Sequence, residues 1–469
     1  MINYFPKYFS SRAIGLYLAL LLIIPVVFQH PMNWYWWLFG IVEVAGFFYF
    51  SNALTKSWRT LRAETFERKL FLSALGIRIA YVLFSYFFYY TLTGTPFEPQ
   101  AADVKWYNDM GRFGADLIWG VESDWDEFFK WADLSDTGYP LYLSILYAIS
   151  GKSILFVRLI KALISAFTVI LIYRLASRNF GEETGRIAAV FCLLMPNLIY
   201  YCGLHLKETE MLFLTVCFIE RTDALFRSRK LKFGNILLIS LIGICTYFFR
   251  AVLCIVLFLT VLTSLVLGSK KIKKGGKVAI SGLLVVCMII AGFLQIGTEQ
   301  FDVGDYQNVQ DQQNANMEWR SERKGGNSYA KYASASIFAP LIFTIPFPTM
   351  VNIEGQPNQQ MIHGGNFVKN ITSFFTILAL FMLLFSGEWR DNIVPIAFTC
   401  GYLIVIAFSS FAQSERFHIP ALPFELMLAA YGISRMKGKH KQLFTFWLIF
   451  IFVVNIGWTW FKLRGRGMI

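Results

Sequence analysis

The sequence predicts an all-α membrane protein built as a bundle of transmembrane helices. Its 469 residues are 56% hydrophobic and only 16% charged, which is too apolar for a soluble protein of this size. Apolar runs close to the roughly 20 residues that cross a bilayer recur from one end of the chain to the other. Because lipid offers the backbone no hydrogen-bond partners, each run is predicted to be a helix.

About thirteen spans are predicted. The first, Ala13–Phe28, follows Lys7 and Arg12 but is not followed by a small-x-small cleavage site, so we interpret it as a retained helix. The full set lies near residues 13–28, 34–51, 70–92, 154–175, 187–204, 207–225, 235–249, 251–267, 278–296, 370–386, 392–411, 418–434 and 443–461.

The distribution of lysine and arginine predicts the orientation. Basic residues collect on the cytoplasmic side of membrane proteins, and five basic connections fall on one side of these spans. These are 52–69, 174–186, 227–232, 268–277 and 435–441. The loop Gly94–Thr137, the turn His205–Glu208, the loop 297–369 and the turn Gln413–His418 are then outside. The net charge of +13 belongs to these short loops, and no nucleic-acid partner is predicted.

One apolar stretch, Ile337–Val351, is short for a span and contains Pro340, Pro346 and Pro348. If this stretch crossed the membrane, the basic loop 435–441 would move to the outside and the charge pattern would break. We therefore predict that it is an interfacial or re-entrant segment rather than a span.

The loop Gly94–Thr137 is the most polar part of the chain, with ten carboxylates against three basic residues. Apolar side chains nevertheless recur in it at helical spacing, first at Trp106, Met110, Phe113 and Leu117 and then at Trp125, Phe128, Phe129 and Ala132. This pattern predicts two helices that lie in the membrane interface. The alternative is a solvated connector with aromatic anchors.

Ionisable residues gather on the predicted outer face, where they cost free energy unless they pair or line a wet cavity. The groups are Asp103 with Tyr107; His205, Lys207, Glu208 and Glu210; Gln413, Glu415, Arg416 and His418; Arg158 with Lys161; and, more weakly, Arg250. Such cations are suited to holding a phosphate, and Asp103 to acting as a general base on a hydroxyl. Alternatively, Lys207 and Arg416 are snorkelling anchors, and His205 and His418 ordinary interfacial residues.

No cofactor is firmly implied by the sequence. A metal site from His205, Glu208 and His418 is one hypothesis, although their spacing matches no common ligand pattern, and a divalent metal stays open. The seven cysteines lie in or beside apolar spans, so no disulfide framework is predicted.

A span is followed by an outer loop with an early acid (AADVKWYNDMG), then by a stretch from GYPLYLSILYAISGKSILFVRL to YYCGLHLKETEMLFL, and later by SERFHIPALPFELMLAAYGI. These segments, in this order, resemble the GT-C superfamily of integral membrane glycosyltransferases. The chain looks most like the protein O-mannosyltransferases and the bacterial aminoarabinose transferases of lipid A. The resemblance covers 70–435, a GT-C-like catalytic core with outer loops 94–153 and 297–369. Residues 1–69 look like an added helix pair, and 436–469 like a C-terminal helix.

The resemblance implies an enzyme that moves a sugar from a polyprenyl phosphate to an acceptor hydroxyl with inversion. It implies Asp103 as the catalytic base, with Asp109 and Asp116 as rivals, because the second acid that many relatives carry nearby is replaced here by Lys105. The remaining site residues that we expect are Lys207, Arg416, His418 and Arg158 for the donor phosphate, and Glu208, His205, Tyr107 and Tyr139 for substrate.

The expected partners are a polyprenyl-phosphate-linked sugar, a glycan, lipid or protein acceptor, and membrane lipids. The expected location is the bacterial inner membrane, with the site facing the periplasm. A polymerase or oligosaccharide ligase acting on lipid-linked glycans is the alternative enzyme, and its pyrophosphate donor would favour a divalent metal. A lipid or sugar transporter is less favoured, because most charges lie at span ends and no internal repeat is evident.

Overall fold

The computed structural model describes most of the chain. The span predicted at 278–296 and nearly all of the basic loop 268–277 lie outside the described residues, as does most of 297–337. Described are residues 2–99, 102–130, 134–228, 233–268, 315, 317, 318, 321, 322, 326–329, 338–353, 356–409 and 411–469.

The described residues form helices and no strand, which confirms the all-α prediction. In chain order these are α1 (Lys7–Phe28), α2 (Trp34–Trp58), α3 (Ala63–Thr93), α4 (Ala102–Ile118), α5 (Trp125–Lys130), α6 (Gly138–Ser150), α7 (Ile154–Phe180), α8 (Glu182–Leu194), α9 (Pro196–Cys202), α10 (Glu208–Arg227), α11 (Phe233–Phe249), α12 (Ala251–Leu267), α13 (Pro357–Met361), α14 (His363–Ser386), α15 (Ile393–Ala407), α16 (Glu415–His418), α17 (Leu422–Ser434) and α18 (His440–Arg464).

Six of the described helices are long and apolar enough to cross a membrane, namely α1, α2, α3, α7, α14 and α18. The pair α8 and α9 meets the same criterion as one span bent by 49°. Helices α11, α12, α15 and α17 are apolar but shorter. The chain is therefore a polytopic membrane protein, whereas the count of thirteen spans stays a prediction.

The span predicted at 187–204 is broken between α8 and α9. Pro196 has no N–H with which to continue the helix, so carbonyls at the end of α8 lose their helical partners. The fully buried Arg78 of α3 replaces the missing donors. Its Nη2 donates to the carbonyl oxygen of Cys192 (3.2 Å) and its Nη1 to that of Leu193 (3.4 Å). A buried guanidinium group thus stabilises the bend that the hydropathy pattern missed.

The basic connections meet on one face of the bundle, which we call the basic face. The contacts run from Arg186 to the carbonyl oxygens of Trp58 and Leu61, from Thr184 to Ser434, and from Arg227 to the carbonyl oxygen of Asp391. Arg227 also donates to Oδ1 of Asn179 (2.8 Å), so these contacts bring 52–69, 174–186, Arg227 and the start of 435–441 to the same end. That this end is cytoplasmic stays a prediction.

Helices α4 and α5 form at the residues where helical spacing predicted them. Met110 and Leu117 of α4 pack on Phe128 of α5, as the apolar spacing suggested. The larger buried face of α4, however, lies against α6 and is made by glycine. A Cβ atom at Gly114 would lie only 2.0 Å from the hydroxyl of Ser144, so the two helices are in close contact.

The stretch 338–353 forms no spanning helix. It contains one 3₁₀ turn, Ala339–Leu341, followed by further turns and irregular chain. Lys369 of α14 donates to the carbonyl oxygen of Ile345 (2.7 Å), and Asn370 donates to that of Pro346 (3.0 Å). The backbone of this segment is therefore held by polar side chains of α14, in agreement with the prediction that it is not a span.

The first two helices are fastened to the start of α14. Glu43 of α2 accepts a hydrogen bond from the Gly365 backbone N–H (2.9 Å), which is one of the unpaired donors of the first helical turn. The Tyr17 hydroxyl of α1 lies 2.8 Å from Nε2 of His363. Glu43 therefore faces the bundle and acts as a cap supplied by a neighbouring helix.

Candidate active site

Three segments that are distant in the sequence meet at Arg416. Its Nη1 donates to Oδ2 of Asp103 in the first turn of α4, and its Nε donates to Oε1 of Glu208 at the start of α10. Glu208 is completely buried, whereas the side chain of Asp103 is 61% exposed. Burial disfavours the cation, but Glu208 outweighs it and raises the pKa of Arg416. The site therefore presents an ionised guanidinium group beside an accessible carboxylate.

A second cation, Lys207, lies in the turn before α10. Its Nζ contacts Oδ1 of Asp136, donates to the carbonyl oxygen of Phe249 (2.9 Å) and lies 5.9 Å from the ring centre of Tyr107. The Tyr107 ring packs edge-on against Tyr139 at 5.0 Å. Burial raises the pKa of Tyr107 to about 12, so its hydroxyl stays protonated and able to donate at neutral pH.

Arg250, between α11 and α12, is the third cation of the site. Its guanidinium carbon lies 4.4 Å from the ring centre of Phe417, the residue after Arg416. Its Nη1 is buried and has no hydrogen-bond partner among the described residues. Arg416 and Lys207 are bound to carboxylates, whereas Arg250 keeps a buried donor atom without a hydrogen-bond partner in the described part of the chain.

We call this group the Arg416 cluster. It consists of the cations Arg416, Lys207 and Arg250 and the carboxylates Asp103, Glu208 and Asp136. The cluster therefore contains three basic and three acidic side chains. No sequence pattern distinguished Asp136, which is one of ten acids in its loop and is brought to the cluster by the 3₁₀ helix Leu134–Asp136.

Arg158 and His205 occupy a neighbouring buried group. Nη2 of Arg158 donates to the carbonyl oxygen of Pro96 (2.6 Å). Nε2 of His205 lies 3.0 Å from the Tyr147 hydroxyl, which in turn donates to Asn108 of α4 (2.8 Å). Both Arg158 and His205 are completely buried, and no hydrogen bond among the described residues joins either to Arg416.

His418 also contacts other residues than expected. Its Nδ1 lies 2.7 Å from Nζ of Lys369, and its Nε2 lies 2.8 Å from the carbonyl oxygen of Ala412. Both ring nitrogens are thus used inside the protein, where they hold the segment that carries Arg416. Sequence reasoning missed Lys369, a buried amine of α14 whose only signal is its charge beside an apolar run.

The rival acids of α4 have other partners. Asp116 forms an ion pair with Lys152 at 2.6 Å. Asp109 accepts a hydrogen bond from the amide of Asn108 (3.0 Å). Of these three acids, Asp103 alone contacts the Arg416 guanidinium group in the described part of the chain.

Comparison with known families identifies the kind of protein that carries this cluster. Residues 138–294 match the family described as dolichyl-phosphate-mannose-protein mannosyltransferase. The match supports a GT-C superfamily glycosyltransferase. The matched segment is about a third of this membrane glycosyltransferase and begins with α6. It includes Lys207, Glu208 and Arg250, while Asp103 and Arg416 lie outside it. A comparison with curated proteins gives no significant match.

The metal triad hypothesised from the sequence of this glycosyltransferase does not assemble. Within the described ranges, no three His, Cys, Asp or Glu side chains lie together as a metal site. His205 contacts Tyr147, Glu208 pairs with Arg416 and His418 contacts Lys369, so the three expected ligands face different partners.

Proposed function

We propose that this glycosyltransferase moves a sugar from a polyprenyl phosphate to an acceptor hydroxyl, with Asp103 as general base. The matching family is named for a sugar carried on dolichyl phosphate, which is a polyprenyl phosphate. The observation that carries the proposal is the placement of Asp103. One of its oxygens binds Arg416 while the side chain stays 61% exposed to an incoming acceptor. A base must lie within hydrogen-bond reach of the proton that it takes.

The Arg416 cluster is suited to a phosphodiester donor. A sugar phosphodiester carries one negative charge, and the unused Nη1 of Arg250 offers it a donor. Lys207 lies beside it, because the carbonyl that Lys207 binds belongs to Phe249, the residue before Arg250. In this proposal Arg250 and Lys207 hold the donor phosphate first, and Arg416 joins them during the reaction.

The reaction is proposed to be a direct displacement. The acceptor oxygen bonds to the anomeric carbon, and the bond from that carbon to the phosphate oxygen breaks with its electron pair going to phosphate. Asp103 takes the hydroxyl proton. Attack opposite the leaving phosphate inverts the anomeric configuration, as the resemblance implied.

Charge stays balanced during this step because the base and the phosphate site share Arg416. The leaving polyprenyl phosphate gains one negative charge while Asp103 loses its own by accepting the proton. A neutral carboxyl group binds Arg416 more weakly, so Nη1 becomes available to the phosphate as its charge grows. Glu208, which is buried and paired with Nε, keeps the guanidinium group in place.

The other expected site residues have supporting roles in this proposal. Tyr107 and Tyr139 form an aromatic wall beside Lys207 and are placed to contact the sugar. Arg158 and His205 form part of the buried packing beneath these aromatic rings. His418 positions the segment that carries Arg416 through its contact with Lys369. The acceptor, which is a glycan, lipid or protein, approaches from the side of Asp103.

The site is proposed to face the outside of a bacterial inner membrane. Asp103 follows the end of α3, whereas the basic face contains the start of the same helix. If the basic face is cytoplasmic, as the charge rule predicts, the Arg416 cluster opens to the periplasm.

Transfer in proteoliposomes tests the proposal. The purified chain is given a hexose on polyprenyl phosphate or on polyprenyl pyrophosphate, together with a mixture of membrane acceptors, with and without a chelator. We expect transfer from the monophosphate donor. Transfer only from the pyrophosphate donor would instead support a polymerase or ligase, and lipid flux without any transfer would support a transporter.

A further inference from the structure

A cleft of about 620 Å³ opens between α3, α7 and α10 at the basic face. Its floor is aromatic and is formed by Phe71, Phe167 and Phe213, with the first two rings 5.0 Å apart. Three arginines line the same cleft, one from each helix: Arg68, Arg174 and Arg221. No residue of the Arg416 cluster contributes to it.

The arginines and the phenylalanines lie at different depths. In α3, Phe71 is one helical turn further into the apolar run than Arg68. In α7 and α10, which run the other way, Phe167 precedes Arg174 by seven residues and Phe213 precedes Arg221 by eight, or about 10–12 Å along a helix. The cleft therefore passes from a charged rim at the membrane surface to an aromatic floor within the apolar layer.

The charges of the rim are only partly paired. Arg174 contacts Glu67, and Nε of Arg221 lies 3.1 Å from Glu220. Arg68 is exposed and has no polar partner among the described residues. With Glu64 also present at the rim, the lining residues carry one positive charge in excess. A single anion held by Arg68 and the outer part of Arg221 would neutralise this rim.

We propose that this cleft binds one anionic glycerophospholipid, with its phosphate on Arg68 and Arg221 and an acyl chain along the phenylalanine floor. Arginine-lined pockets between membrane helices on the cytoplasmic side suit such headgroups, because the guanidinium group matches phosphate oxygens in pairs. Because the cleft is charged at its rim and aromatic at its floor, it favours a lipid over a soluble phosphate. The 31 residues of α3 give this helix a length of about 46 Å. The cleft lies at the start of α3 and is therefore separate from the Arg416 cluster at the other end of the helix.

Native mass spectrometry of the whole purified chain tests this site. The protein is exchanged into detergent with phosphatidylglycerol, phosphatidylcholine or glycerol phosphate, and the bound fraction is titrated. The double variant Arg68→Gln/Arg221→Gln is compared with Arg59→Gln/Arg62→Gln, which removes two exposed arginines of the same face outside the cleft. Phe167→Ser tests the floor separately.

We expect one tightly bound phosphatidylglycerol per chain and preference over phosphatidylcholine. The cleft double variant should bind it at least about tenfold more weakly, as expected when charged hydrogen bonds are lost, while the control variant binds normally. Equal binding by both double variants would overturn the proposal. So would displacement of the lipid by glycerol phosphate at equal concentration, or unchanged binding in Phe167→Ser. Sugar transfer is measured in parallel, and its presence or absence does not bear on this site.

Discussion

The guanidinium group of Arg416 contacts the carboxylate of Asp103 across 313 residues of sequence, and the same group pairs with Glu208 through its other edge. An exposed acid and a buried acid therefore share one cation. This arrangement fixes the orientation of Asp103 without burying it. It also links the proposed base directly to the proposed phosphate site.

Arg416 and Glu208 are expected to be strongly coupled in stability. Arg416→Met leaves the completely buried Glu208 without its partner, which costs about 3–5 kcal/mol in the free energy of unfolding. Glu208→Gln in the same chain removes the stranded charge and should recover part of that loss. Denaturant unfolding in mixed micelles of both single variants and the double variant measures the coupling. Additive effects, with no interaction energy beyond about 0.5 kcal/mol, would show that the pair does not act as a unit.

Arg250→Gln is expected to weaken donor binding more than it weakens the chemical step. The variant removes a guanidinium nitrogen, Nη1, that has no hydrogen-bond partner among the described residues, so the phosphate loses a charged hydrogen bond. We expect KM for the donor lipid to rise about tenfold or more. The matched control is Arg390→Gln, because the native Arg390 stacks on Trp389 beside the basic face. Equal KM values for the two variants would remove Arg250 from the phosphate site.

Glu98 is expected to make stability depend on pH. Burial raises its pKa above the ordinary 4.5, and Oε2 has no hydrogen-bond partner among the described residues. The folded protein therefore favours the protonated form, and stability falls as pH rises above about 4.5 through the raised pKa. Glu98→Gln should melt higher than the wild type at pH 8 and equally at pH 4. A variant that melts lower than the wild type at pH 8 would show that the carboxylate is stabilising there.

Gly40→Ala is expected to disturb the attachment of α1 and α2 to α14. A Cβ atom at Gly40 would lie 2.0 Å from the Tyr17 hydroxyl and 2.3 Å from Nε2 of His363, which are hydrogen-bonded to each other. We expect a loss of about 1–3 kcal/mol from overpacking. Gly46→Ala in the same helix meets open space and should be neutral or stabilising by about 0.5–1 kcal/mol. A melting temperature for Gly46→Ala that is lower than that of Gly40→Ala would contradict this packing.

Much of the architecture was predictable because it rests on composition and spacing. Apolar runs located the helices, and the lysine and arginine bias predicted that distant loops share one face. Helical spacing located α4, but it counted only large apolar residues. The face of α4 that contacts α6 depends on Gly114, and the absence of a side chain gives no periodic signal.

The site was predictable at the level of its outer-face charges but not of their pairing. Asp103, Glu208 and Arg416 were expected together, and both acids contact Arg416. His418 was expected at the phosphate, yet its two ring nitrogens bind Lys369 and a backbone carbonyl. Which partner a buried polar group takes is decided by three-dimensional packing between helices, which one sequence does not contain.

Asp103→Asn provides the most direct test of the central claim. The variant keeps an oxygen that can bind Arg416 but cannot take a proton, so donor binding and fold should persist. Transfer from a polyprenyl-phosphate sugar under single-turnover conditions is expected to slow by about 10²–10⁴-fold, with Asp109→Asn close to the wild type. A single-turnover rate for Asp103→Asn within about threefold of the wild type would contradict the assignment of Asp103 as the general base.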